Sequence, residues 1–84
     1  MKKRISILGS TGSIGVNALK VASHLKDQID VVYLSTNKNV SLLLNQINTF
    51  QPKAVCIADR IAHEKVKKDL MLLDVEVLIG REGL

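Results

Sequence analysis

The sequence predicts an alternating α/β fold organised around a parallel sheet. Two observations carry that expectation. Short apolar runs rich in Val and Ile alternate with stretches of helical hydrophobic period, and a glycine-rich turn joins the first run to the first helix. Near-continuous apolar strands separated by helices point to parallel strands buried on both faces.

Each element has its own signal. Residues 4–8 form a β-branched run closed by Gly9, a first strand. Over 14–25, Ile14, Ala18, Ala22 and Leu25 fall on one stripe with Leu19 and Val21 beside it, which predicts a helix. Residues 31–34 make a second strand. Val40, Leu43, Leu44 and Ile47 recur at helical spacing, and Pro52 limits how far that helix can run. Residues 54–58 give a third strand. Ala62, Val66, Leu70 and Leu73 mark a third helix, and 75–79 give a fourth strand stopped by Gly80.

The order βαβαβαβ with right-handed crossovers selects a Rossmann-like doubly wound sheet, with the last strand at the topological switch point. A full sheet of this type uses about six strands. With four, the chain reads as a truncated version, residues 1–84 being the N-terminal part of a longer protein.

Composition narrows the class. The chain has 84 residues, 46% hydrophobic and 24% charged, too apolar for disorder and short of the ~100–150 residues of a typical domain. No apolar run reaches the ~18–20 residues that cross a bilayer. Lys2-Lys3-Arg4 imitates the start of a signal peptide, but Gly9 interrupts the apolar stretch too soon. The single cysteine, Cys56, excludes an internal disulfide and fits a reducing, cytoplasmic setting. A net charge of +4 invites a nucleic-acid partner. Yet Tyr33 and Phe50 are the only aromatics, no nucleic-acid motif is present, and the basic residues fall at the N-terminus and on one candidate helix, where Glu64 and Asp69 are mixed in. Neither nucleic acid nor membrane is expected as a partner.

The chemistry lies in Gly9-Ser10-Thr11-Gly12-Ser13-Ile14-Gly15, between the first strand and the first helix. In such a turn Gly9 permits the sharp reversal, Gly12 lets a pyrophosphate approach the backbone, and Gly15 lets the helix pack closely on the sheet. The free N–H groups and positive dipole end of the helix favour an anion, and the hydroxyls of Ser10, Thr11 and Ser13 add donors. The spacing is one residue longer than the commonest dinucleotide motif, and no Gly-Lys-Ser/Thr follows, so it is not a Walker A loop.

The end of the second strand selects the dinucleotide. An acid there, about 20 residues beyond the turn, holds the ribose 2′-hydroxyl of NAD. This chain has Ser35-Thr36-Asn37-Lys38-Asn39 instead. Lys38 attracts a 2′-phosphate, and its polar neighbours can bond one, so NADP is expected over NAD. Asn39 also reads as a helix cap, and Asp59, at the end of the third strand, is placed either to approach the adenine or to cap the helix that follows. His24 reads as a surface residue near a helix end, His63 as part of a charged helix, and Cys56 as core. No metal-spaced cluster or catalytic residue is visible.

These residues resemble a known family. The string Ile7-Leu8-Gly9-Ser10-Thr11-Gly12-Ser13-Ile14-Gly15, then Lys38-Asn39-Val40, then Phe50-Gln51-Pro52-Lys53 before a strand ending in Asp59, is similar to the N-terminus of the 1-deoxy-D-xylulose 5-phosphate reductoisomerases. The resemblance implies that Thr11, Gly12, Ser13 and Ile14 contact the pyrophosphate of NADPH, with Lys38 and Asn39 near its 2′-phosphate. Asn37 stands where the family usually has glycine; Asn tolerates left-handed backbone angles, so the turn can survive.

The resemblance further implies NADPH-dependent conversion of 1-deoxy-D-xylulose 5-phosphate to 2-C-methyl-D-erythritol 4-phosphate in non-mevalonate isoprenoid synthesis. It also implies a divalent metal, Mg²⁺ or Mn²⁺, held outside this chain, a sugar-phosphate substrate, a homodimer, and no activity from this segment alone. The glycine turn by itself leaves other readings open: an aspartate-semialdehyde dehydrogenase, a short-chain reductase, or an NADPH-sensing module without chemistry.

Overall fold

The computed structural model describes residues 2–80. It contains β1 (Lys3–Ile7), α1 (Ser13–His24), β2 (Ile29–Thr36), α2 (Val40–Phe50), β3 (Ala54–Ile57), α3 (Arg60–Met71) and β4 (Glu76–Ile79). Every expected element is present, with ends shifted by one or two residues. All strands are parallel in one sheet, a truncated Rossmann-like α/β fold.

Local chemistry accounts for the helix boundaries. Asn39 Oδ1 accepts from Leu42 N–H at 3.3 Å and caps α2. Asp59 Oδ2 accepts from Ala62 N–H at 3.1 Å and caps α3. α2 stops at Gln51, which takes a left-handed conformation (φ 49°) directly before Pro52. Pro52 has no N–H to extend the ladder.

The strand order is β1-β2-β3-β4, which corrects the expected position of β4. It pairs with β3, in register Val55↔Val77 and Ile57↔Ile79, and not at a switch point beside β1. The reason lies in α3. Its buried Ala62, Val66 and Leu70 join the same apolar cluster as Leu19 and Ala22 of α1 and Leu43 and Ile47 of α2. Packed on that shared layer, α3 carries a right-handed crossover onward in the same direction. Among the described residues the helices therefore line one sheet face.

The opposite face carries alternate strand residues such as Arg4, Ser6, Tyr33, Cys56 and Leu78. There Tyr33 meets Cys56; burial first, then the neighbouring thiol, pushes the tyrosine hydroxyl up to about 12. Cys56 is core, as expected.

Two details depart from the hydrophobic pattern. β2 carries an extra residue opposite β1, since Ile5 pairs with Val31 but Ser6 with Tyr33. That bulge lets Val31 and Leu34 share the helix-covered face. In α1, the inward residues are Gly15, Leu19 and Ala22, not the expected Ile14-Ala18-Ala22-Leu25 stripe. Ile14 is 86% exposed and Val21 57%. His63 is buried on the core side of α3, where the sequence suggested only a charged helix.

Candidate cofactor-binding site

Because β1, β2 and β3 are parallel neighbours, the segments that follow them meet at one edge of the sheet. Backbone hydrogen bonds join them: Ala58 N–H donates to Thr36 O at 3.0 Å and Asp59 N–H to Asn37 O at 3.1 Å. The glycine-rich turn is bound to the end of β2 more tightly still. Ser10 N–H donates to Ser35 O at 2.8 Å, Gly9 N–H donates to Ser35 Oγ at 2.9 Å, and the hydroxyls of Thr11 and Thr36 lie 2.6 Å apart.

The three glycines have three different reasons. Gly9 has φ +67°, a conformation that other residues rarely adopt. At Gly15 a Cβ would stand 2.6 Å from Ser10 Cα and closer still to the Gly9 carbonyl oxygen. The close approach is thus between helix and turn, where the sequence suggested helix and sheet. Gly12 is required by neither. Its φ is −79° and ψ 171°, open to any residue, and a Cβ would meet only Gly9 O, at an acceptable 3.4 Å. Nothing within the fold demands glycine there, and the position is exposed.

Gly12 is also the N-cap of α1, and no side chain caps it, in contrast to α2 and α3. The first-turn N–H groups of Ser13 and Ile14 are therefore offered outward, at the positive end of the helix. Asn37, Lys38 and Asn39 follow directly on Thr36, itself bonded to Thr11, and all three are exposed. The structure thus brings Thr11, Gly12, Ser13 and Ile14 to the same edge as Asn37, Lys38 and Asn39. Asn37 does not use the left-handed region; among the described residues Gln51 is the non-glycine with positive φ.

The family model for 1-deoxy-D-xylulose 5-phosphate reductoisomerase matches residues 5–84. The chain belongs to that family.

Reductoisomerases from individual organisms agree. The Halothermothrix orenii protein is 43% identical over 84 residues, covering 100% of this chain and 22% of its own length. The Caldanaerobacter subterraneus protein is 48% identical, covering 98% of this chain and 21% of its own. The Zymomonas mobilis reductoisomerase in complex with NADPH matches with a TM-score of 0.90 at 29% identity, over 99% of this chain and 22% of that one. A reductoisomerase in complex with NADPH, fosmidomycin and magnesium gives a TM-score of 0.81 at 28% identity, over 96% of this chain and 20% of that one. The chain spans about a fifth of the length of the relatives it matches. Membership sets aside the aspartate-semialdehyde dehydrogenase and short-chain reductase readings.

The hydroxyls expected from the turn and from the end of β2 to bond phosphate need reassignment. Ser10 is fully buried and its Oγ donates to Gln46 Oε1 at 2.7 Å, so it is not a phosphate donor. Ser35 and Thr36, expected near a 2′-phosphate, are buried and engaged with the turn. Asn39 spends its side-chain oxygen on capping α2, leaving its Nδ2 as donor. Sequence reasoning missed Gln46 altogether. Its signal was a polar residue at helical spacing from Leu43, beside Ile47, on the face that the period assigns to the core.

Proposed function

We propose that this chain is the N-terminal NADPH-binding part of a reductoisomerase that converts 1-deoxy-D-xylulose 5-phosphate to 2-C-methyl-D-erythritol 4-phosphate. One observation carries the reading. Gly12 is a glycine that the fold does not need, placed beside uncapped helix amides; its missing side chain serves a group that comes from outside. A pyrophosphate fits that space, because it is anionic and must reach backbone N–H groups.

In this reading Ser13 and Ile14 N–H bind the pyrophosphate. Lys38 binds the 2′-phosphate by a charge-assisted contact, with Nδ2 of Asn39 as a further donor. When bound, NADPH supplies the hydride and a divalent ion polarises the substrate oxygens. Among the described residues no three His, Cys, Asp or Glu side chains gather to hold a metal. The Mg²⁺ or Mn²⁺ ion, the sugar phosphate, the catalytic residues and pairing into a homodimer are proposed to belong to the rest of the enzyme, this chain spanning about a fifth of its relatives' length. No helix among the described residues is long and apolar enough to cross a membrane.

The activity test uses the intact protein with Mg²⁺. Absorbance of NADPH should fall only when 1-deoxy-D-xylulose 5-phosphate is added, with 2-C-methyl-D-erythritol 4-phosphate as product. No substrate-dependent loss would overturn the assignment. Lys38 gives a second test. Lys38→Ala should weaken NADPH by about tenfold, the value of one solvent-exposed charge-assisted contact, and leave NADH almost untouched. Equal losses for both cofactors, measured by calorimetry at one salt concentration, would place the 2′-phosphate elsewhere.

A further inference from the structure

Gln46 is only 7% exposed, on the face of α2 that packs on the sheet. A buried amide is destabilising unless its groups are paired, and leucine would suit that helix face better. Gln46 gives both its groups to one residue. Its Oε1 accepts from Ser10 Oγ at 2.7 Å, and its Nε2 donates to Ser10 O at 2.8 Å. Ser10 is further held through its N–H by Ser35 O at 2.8 Å.

The peptide plane converts this grip into direction. A trans peptide points its C=O and its N–H opposite ways. With Ser10 C=O turned inward to Gln46, the N–H of Thr11 is turned away from Gln46, toward the outside of the turn. That N–H has no hydrogen-bond partner among the described residues. We infer that Gln46 is a positioning residue for the cofactor: by holding the Ser10 carbonyl inward it aims Thr11 N–H at the pyrophosphate. The inference rests on the NADPH reading of the turn.

The test compares the intact protein with its Gln46→Leu and Gln46→Met variants. Met keeps the length and flexibility of the side chain, so it serves if Leu does not fold. The expected result is a rise of about tenfold in the NADPH dissociation constant and in KM for NADPH, the loss of one preorganised donor. The kcat at saturating NADPH stays within twofold. Hydrogen exchange adds a readout independent of turnover: NADPH should protect residues 9–13 in the wild type and much less in Q46M. Ile47→Val, a neighbouring core change, should lower stability without moving KM.

An unchanged KM and unchanged protection in folded Q46M, with NADPH still lost in a Gly12→Val variant, would overturn the role of Gln46 and leave the turn as the cofactor site. Absence of NADPH protection over residues 9–13 in the wild type would overturn both.

Discussion

Gly12→Val in the intact protein is expected to lower NADPH affinity by more than a hundredfold while moving the melting temperature by no more than a few degrees. The separation follows from the geometry. Gly12 sits at φ −79° and ψ 171°, an extended conformation that a β-branched residue adopts readily. The first atom of a new side chain would meet only Gly9 O at 3.4 Å, an ordinary contact.

Two small effects on stability oppose each other. Replacing glycine where the backbone permits it stabilises by about 0.4–1 kcal/mol through the unfolded chain. Valine is a poorer N-cap than glycine, at a comparable cost. Binding has no such compensation, because the isopropyl group fills the path by which the pyrophosphate reaches Ser13 and Ile14 N–H. Calorimetric titration with NADPH beside a thermal melt decides it. Wild-type affinity in the variant would mean that the dinucleotide does not cross this turn.

The second large effect is the reverse in kind. Gly15→Ala should destabilise the protein by about 3 kcal/mol, the upper end for overpacking a rigid site. The new Cβ would lie 2.6 Å from Ser10 Cα and 2.9 Å from Ser10 C. Both neighbours are backbone, which cannot rotate aside, and Ser10 is pinned by Ser35 and Gln46. Helix propensity favours alanine by about 1 kcal/mol, which is too little to offset the clash. Relief requires α1 or the turn to shift, so NADPH affinity should fall as well. The check is a lower melting temperature in the intact protein together with faster hydrogen exchange over α1. A variant that melts like the wild type would show that the turn can move freely, against the network described.

Much of the fold was legible because its signals are local. Glycine at 9 and 80 and proline at 52 marked ends. Asn39 and Asp59 were readable as caps, and the caps formed. The glycine turn and the exposed Asn37-Lys38-Asn39 segment were placed correctly at one sheet edge because any β-α-β pair with parallel neighbours places them so. The family was readable from the same string.

What failed to show had a common cause. α1 is rotated so that Gly15 faces inward with Leu19 and Ala22, and a residue with no side chain leaves no mark on a hydrophobic period; the period alone points to Ile14, Ala18, Ala22 and Leu25, of which only Ala22 is buried. Ser10, Ser35 and Thr36 carry hydroxyls fit for phosphate, and only the packed structure revealed that they are engaged by Gln46, by Gly9 N–H and by the Thr11 hydroxyl respectively.

Read alone, then, the residue order determined which segments are strands and helices, where the anion-binding turn lies, and the family to which the chain belongs. The tertiary structure alone decided that β4 extends the sheet beyond β3, how α1 is turned, and that Gln46 grips Ser10 across 36 positions of sequence. Periodicity and turn chemistry act between near neighbours along the chain. The side of the sheet a helix covers, and the partner a buried amide finds, depend on distances that exist only once the layers have packed.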